Sequence, residues 1–262
     1  MSNTIVWFGR LGYGVKGVVY VVMGLLALFA SFGSGGKTTD TKGALATIGE
    51  APFGRVALLI IAVGLLGYTA WRLVSAATDA ERKGDAPTGV AKRLGAAGRG
   101  LAYGSLAIWT FGYLKGQKAT HSNQAQSLTD RALGLPGGRW IVIAAGIGFL
   151  AYAVYQVYRA LSEKFLEHLS LERANVETRN SVRAIGKFGI SARAVVFGMI
   201  GVLFVIAGWN YDPEKAGGIQ KSLRALAQQP MGETLLKVVA LGLMAFGIFQ
   251  IATARYRVMR AT

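Results

Sequence analysis

The sequence predicts an all-α integral membrane protein. Six transmembrane helices are expected, arranged as three parallel two-helix repeats with pseudo-threefold symmetry and with a short interfacial helix in each outer loop. Three observations predict this. The 262 residues are 52% hydrophobic and only 16% charged, against roughly 25% charged in soluble domains, and the mean hydropathy is +0.39. Apolar runs near the roughly 20 residues needed to cross hydrocarbon recur along the chain. The same glycine, aromatic and cationic signatures return three times, which marks an internal repeat.

The apolar runs cover 13–32, 56–77, 100–114, 140–161, 194–209 and 235–254, and none contains Asp or Glu. The third and fifth gain length from the weakly polar stretches 94–98 and 188–192. Lys16 interrupts the first run, so it reads as a retained span and not a cleaved leader. Arg10-Leu11-Gly12 with Lys16 and Tyr20 opens the first span of the first pair. Arg93-Leu94-Gly95 with Arg99 and Tyr103, then Lys187-Phe188-Gly189 with Arg193 and Phe197, open the other two. The second span of each pair follows Pro52-Phe53-Gly54, Pro136-Gly137-Gly138 or Pro230-Met231-Gly232, and carries Gly64, Gly148 or Gly242 at matching positions.

These signatures divide a single membrane domain, 1–262, into repeats 8–78, 91–161 and 185–257. Residues 162–184 form a cytoplasmic linker, read as a solvated continuation of the fourth span with Glu163 and Glu167 one turn apart. Each unit crosses twice, so the copies are parallel. Apolar residues three or four apart in 43–48, 127–133 and 219–226 predict short amphipathic helices at the outer interface. Each of these is stopped before its Pro-x-Gly turn.

Lys and Arg number 29 against 13 Asp and Glu, a formal charge of +16. The larger share of the cations falls on the side of the two termini, which places both termini in the cytoplasm. A basic chain this apolar does not read as a nucleic-acid binder. With no Cys and 2 His, disulfides, iron–sulfur sites and zinc fingers are excluded. His121 and His168 fall on opposite sides of the membrane, so no metal and no cofactor is expected. The carboxylates sit in loops or at span ends, and Ser105 and Thr110 have no partner base, so the protein is expected not to be an enzyme.

The recurring cations carry the functional reading. Lys16, Arg99 and Arg193 each precede an aromatic residue, Tyr20, Tyr103 or Phe197, by four positions. On the partner spans Arg72, Gln156 and Gln250 follow Tyr68, Tyr152 and Phe246 by four. That spacing puts each pair on one helix face, within reach of cation–π contact in most copies. Near the cytoplasmic span ends, threefold symmetry gathers them into a ring. Two roles stand open for it: the cations snorkel to anionic lipid headgroups as anchors, or the ring binds a solute. Two functions follow. One is a passive pore or binding site for a small anion or lipid headgroup, and the other is a scaffold or assembly partner in a membrane complex, with protein partners or a second copy of the chain. The lack of intramembrane carboxylates argues against proton- or sodium-coupled transport.

The triplicated pattern, [RK]-[LF]-G with a following cation and aromatic on one span and P-x-G then G-x-x-[GA]-[YF]-x-x-[WYF]-[RQ] on the other, resembles the bacterial membrane family catalogued as domain of unknown function 1206. The resemblance runs from about Phe8 to Arg257. It implies the three-repeat architecture and a multi-pass location in the bacterial cytoplasmic membrane, and it carries no activity, substrate or catalytic residue.

Overall fold

The computed structural model describes residues 3–32, 38–79, 84–117, 124–167, 169–171 and 175–256. The long helices are α1 (Asn3–Ser31), α3 (Gly54–Ala77), α4 (Pro87–Leu114), α6 (Gly138–Leu161), α7 (Val176–Asn210) and α9 (Gly232–Tyr256). Between the members of each pair lie the short helices α2 (Thr41–Glu50), α5 (Gln124–Leu133) and α8 (Ile219–Ala227), where the sequence placed them. The start of α1 and the end of α9 lie at one end of the bundle and the short helices at the other, as the alternating long helices require. Five stretches are long and apolar enough to cross a membrane: Gly9–Ser31, Gly54–Ala77, Gly138–Leu161, Val176–Asn210 and Gly232–Tyr256. The sixth long helix, α4, has the length but not the apolarity. Its first half holds Lys92, Arg93 and Arg99 among Gly and Ala residues.

The Pro-x-Gly signature has a local physical cause. Its middle residue is left-handed in every copy: Phe53 at φ 60°, Gly137 at 73° and Met231 at 61°. The glycine that follows opens the long helix against the last turn of the short one. A Cβ there would overlap the carbonyl oxygens of Ile48, Ala132 and Ala227 respectively, so the position admits only glycine. Caps fix other starts. Asp40 accepts from the Gly43 amide at 2.9 Å to begin α2, and Asn175 accepts from Thr178 at 2.9 Å to begin α7.

Packing follows a cyclic order. The second long helix of each repeat lies against the first of the next: α3 on α4, α6 on α7, and α9 back on α1. Small residues let the backbones meet. A Cβ on Gly17 would stand 2.6 Å from the Gly247 carbonyl oxygen, and one on Gly247 would stand 2.6 Å from that of Gly17. Gly146 and Gly201 cross in the same manner between α6 and α7. Within repeats, α1 packs on α3 and α7 on α9, whereas α4 and α6 share no such packed interface among the described residues. Two large apolar cores result, beside two smaller clusters. One joins α1, α7 and α9 through Tyr20, Ile190, Leu243 and Phe246, and the other joins α1, α2, α3 and α4 through Val15, Leu45, Leu58 and Ala107. Exposed Leu59, Ile60, Ile147 and Val154 face outward, as hydrocarbon solvent permits.

The linker corrects the expectation. The described residues of 162–184 do not continue the fourth span: α6 stops at Leu161, Glu163 takes φ 55°, and a separate helix, α7, begins at Val176. The cause is burial. Phe165 and Leu171 turn under the bundle and are 2% and 6% exposed, and the Phe165 ring meets Phe249 edge-on at 5.3 Å. A straight helix would leave both side chains in water. Glu163 instead pairs with Arg183 at 2.9 Å, and the Ser170 amide donates to the Tyr256 carbonyl at 2.8 Å.

Candidate functional site: cations among aromatic rings

Three cations from three helices meet near the terminus-bearing end. Lys16 sits on α1, about 22 Å of helix rise from its far end at Ser31, and is 8% exposed. Arg72 on α3 is 6% exposed, and the half-buried Arg193 lies on α7. Their ring contacts run mostly between helices. The Lys16 ammonium stands 5.5 Å from the Tyr103 centroid and 5.4 Å from that of Phe246. The Arg193 guanidinium stands 4.8 Å from both Phe197 and Phe246 and 5.8 Å from Tyr20, each measured to the ring centroid. Arg72 lies 4.5 Å over Trp71, donates from Nε to the Tyr68 hydroxyl at 3.0 Å and from Nη2 to the Tyr13 hydroxyl at 2.5 Å.

The aromatic partners pair across repeats in one recurring geometry. Tyr20 meets Phe246 at 4.8 Å and 71°, Tyr103 meets Tyr68 at 5.0 Å and 80°, and Phe197 meets Tyr152 at 5.1 Å and 76°. These are edge-to-face contacts. Each joins a first-span aromatic to the second-span aromatic of the preceding repeat.

The expected same-helix pairs form in part. Arg193 with Phe197 and Arg72 with Tyr68 are made. The ammonium of Lys16 instead rests on rings from α4 and α9, because its own helix rotates Tyr20 toward Phe246. Arg99 is exposed on α4. It stands within electrostatic range of Lys16, as do Arg193, Arg72 and Arg159. Gln156 and Gln250 are buried, 1% and 5% exposed. The Gln156 amide nitrogen and the Arg193 Nε are buried without a hydrogen-bond partner.

Sequence reasoning missed Tyr13, Trp71 and Arg159. Trp71 lies inside the repeat signature, at the position that Tyr155 and Phe249 hold in the other copies. Tyr13 gave no repeat signal, since Ala96 and Ile190 hold its place in the other copies.

Neither Lys16 nor Arg193 takes part in the described ion pairs. Those are Arg93–Asp85, Arg183–Glu163, Lys215–Asp212 and Lys237–Glu233, all away from these cations. Burying an ion costs several kcal/mol even after relaxation, and a desolvated cation–π contact returns about 2 kcal/mol. Rings alone therefore leave Lys16 and Arg193 short of compensation, and each orphaned buried donor costs about 1–3 kcal/mol more. An anion with several acceptor oxygens would offset both deficits. His121 and His168 lie outside the described residues. Among the described residues no group of three or more His, Asp or Glu could hold a metal.

Long apolar helices and a threefold internal repeat define a polytopic membrane protein. The chain belongs to the family described as Domain of Unknown Function (DUF1206), which matches residues 11–79, 94–163 and 188–257, one match per repeat. It is 31% identical over 252 residues to an uncharacterized protein, YxxB, of Bacillus subtilis (strain 168), across 96% of this chain and 91% of the relative. No solved structure matches it.

Proposed function

We propose that this is a non-enzymatic protein of the bacterial cytoplasmic membrane with both termini cytoplasmic. In this reading α4 completes a six-span, pseudo-threefold bundle, and the cation–aromatic cluster is a binding site or passive pathway for a small oxyanion or a lipid headgroup. The observation that carries it is the gathering of Lys16 and Arg193 on shared aromatic rings, neither of them in an ion pair among the described residues, with unsatisfied donors on Arg193 and Gln156. Charges sharing one low-dielectric site attract an anion far more strongly than the same charges spread over a surface. Anchoring explains exposed Arg99 well, since its guanidinium can reach phosphates. It explains Lys16 poorly, because a side chain 8% exposed is not extended into the headgroup layer. The three matched ring pairs support the symmetric arrangement.

The test is anion binding and flux by the full chain, in detergent and in vesicles, with inorganic phosphate as probe. Replacing Lys16, Arg99 and Arg193 together by Gln should lower binding at least tenfold and abolish any flux, with helicity unchanged. Replacing Arg131, Arg179 and Arg224, exposed cations outside the cluster, should do neither. Absence of phosphate binding by the wild type, or equal loss in both triple variants, sinks the anion site and leaves the scaffold reading.

A further inference from the structure

Repeat 2 departs from the other two at the positions where they are held shut. In repeat 1, Gly12 lets α1 press on Tyr68, and Gly64 lets α3 press on Val15 and Leu11. In repeat 3, Gly189 lies against the Phe246 backbone and Gly242 against Ala192. All four glycines are buried. Their counterparts Gly95 and Gly148 are exposed. A Cβ on Gly148 would meet nothing within 4 Å, and one on Gly95 would meet only the guanidinium of Arg99, at 3.6 Å. The sequence thus keeps the contact glycines of a closed hairpin while α4 and α6 stand apart.

The side chains along the two facing stripes agree. Val15 and Val19 of α1, and Ala192 and Val196 of α7, are buried, but Gly98 and Ala102 at the matching places on α4 are exposed. On α6, Ala151 and Tyr155 are exposed, while Trp71 and Phe249, the counterparts of Tyr155, are 4% and 5% exposed. The α4 stripe is also built from smaller residues than its equivalents, which deepens the slot. Behind it stand the buried donors that lack partners, Gln156 on α6 and Arg193 on α7. Arg99 lies at its edge.

We infer that the slot between α4 and α6 is a lateral entry for one anionic phospholipid, whose phosphate reaches Arg193, Gln156 and Arg99 while an acyl chain lies along Gly98, Ala102 and Gly148. This rests on the anion-site reading and names its ligand class. Charge complementarity selects the occupant. The slot opens sideways to hydrocarbon between apolar and small residues, and its inner end holds cations and hydrogen-bond donors with no described carboxylate partner. A molecule that is apolar along one part and a phosphodiester at the other matches both ends. A free oxyanion matches only one of them.

The Cys-free chain offers a direct test. In repeat 1, Leu11 lies against Gly64, so the matched pair Leu94→Cys with Gly148→Cys should form a disulfide that holds α4 closed on α6. Leu11→Cys with Gly64→Cys is the control, bridging a contact already made. The intact protein, purified in mild detergent, is offered phosphatidylglycerol, phosphatidylcholine or inorganic phosphate, and retained lipid is read by native mass spectrometry. The expected result is one retained phosphatidylglycerol, at least tenfold preferred over phosphatidylcholine. It should be lost on oxidation of the 94–148 pair, restored by reduction, kept in the control, and weakened at least tenfold by Arg193→Gln. Inorganic phosphate should still bind the oxidised 94–148 protein. Phosphate binding without phosphatidylglycerol retention would overturn the lipid entry and leave the anion site standing, whereas loss of both in the wild type would remove the anion site itself. Equal retention of the two lipids, or retention in the oxidised 94–148 protein, would also overturn the entry. So would cross-linking of Gly148→Cys between two chains in place of the intrachain bridge, because the slot would then be an interface between copies.

Discussion

Tyr13→Phe isolates the most strongly held cation of the cluster. The substitution keeps the ring, its 5.3 Å edge contact with Tyr68 and its 6.0 Å contact with Trp71, and deletes only the hydroxyl that accepts from Arg72 at 2.5 Å. Hydrogen bonds to charged groups contribute about 1.5–3 kcal/mol in soluble proteins. Side-chain hydrogen bonds between membrane helices average about 0.6 kcal/mol and reach about 1.7. The ranges overlap near 1.5 kcal/mol, and a charged donor that is 6% exposed belongs at that overlap. Tyr13→Phe should therefore cost about 1.5 kcal/mol, roughly a tenfold change in the unfolding equilibrium. Titration with a denaturing detergent, followed by tryptophan fluorescence, measures it, with Trp71 reporting beside the guanidinium. In an Arg72→Met background the same change should cost less than about 0.5 kcal/mol, because methionine has no N–H to donate to the Tyr13 hydroxyl. If the two substitutions prove additive, or Tyr13→Phe alone is silent, Arg72 is not tied to α1 and the cluster has been assembled from the wrong contact.

Two further outcomes follow from the packing and from the proposed orientation. Gly14→Ala and Gly17→Ala lie one turn apart on α1 but should differ in sign. A Cβ at residue 14 meets nothing within 4 Å, so alanine should add up to about 1 kcal/mol of helix propensity. At residue 17 it must displace the Gly247 carbonyl and should remove about 1–3 kcal/mol, both read in the same detergent titration. Single cysteines at exposed Lys115 and Lys215 should react with an impermeant reagent added to intact cells, and one at exposed Arg179 should not; labelling at residue 179 would reverse the orientation.

What the sequence made legible depended on whether a residue's partner was near in the chain or repeated along it. The Pro-x-Gly turns were visible because a left-handed residue and a backbone contact both act within a few positions, and because Phe53, Gly137 and Met231 repeat the event. The short helices were visible for the same reason. The 162–184 segment misled because its composition suits a solvated helix, while its conformation is set by Phe165 and Leu171 meeting a helix from the far end of the chain. Lys16 and Tyr20 share a helix face, as their spacing required, yet each finds its ring partner on α9 or α4. Helix periodicity fixes the facing of a residue but not the neighbour it meets. Tyr13 was invisible because comparison of repeats finds only what recurs, and the Arg72 acceptor occurs once. The mixed character of α4 was legible in its composition, with Arg99 and a run of small residues in place of an apolar stripe.

The seam between α9 and α1 imposes an order on biosynthesis. Helix α1 leaves the ribosome well before α9, yet Phe246, which covers Lys16, Tyr20 and Arg193, and Gly247, which seats Gly17, belong to α9. Until then the first repeat waits in the bilayer with a lysine and a glycine face uncovered. A stop codon just before α9 would therefore remove more than one helix of six. It would strand the beginning of the chain as well as its end, and present quality-control proteases with a buried cation that has lost its cover.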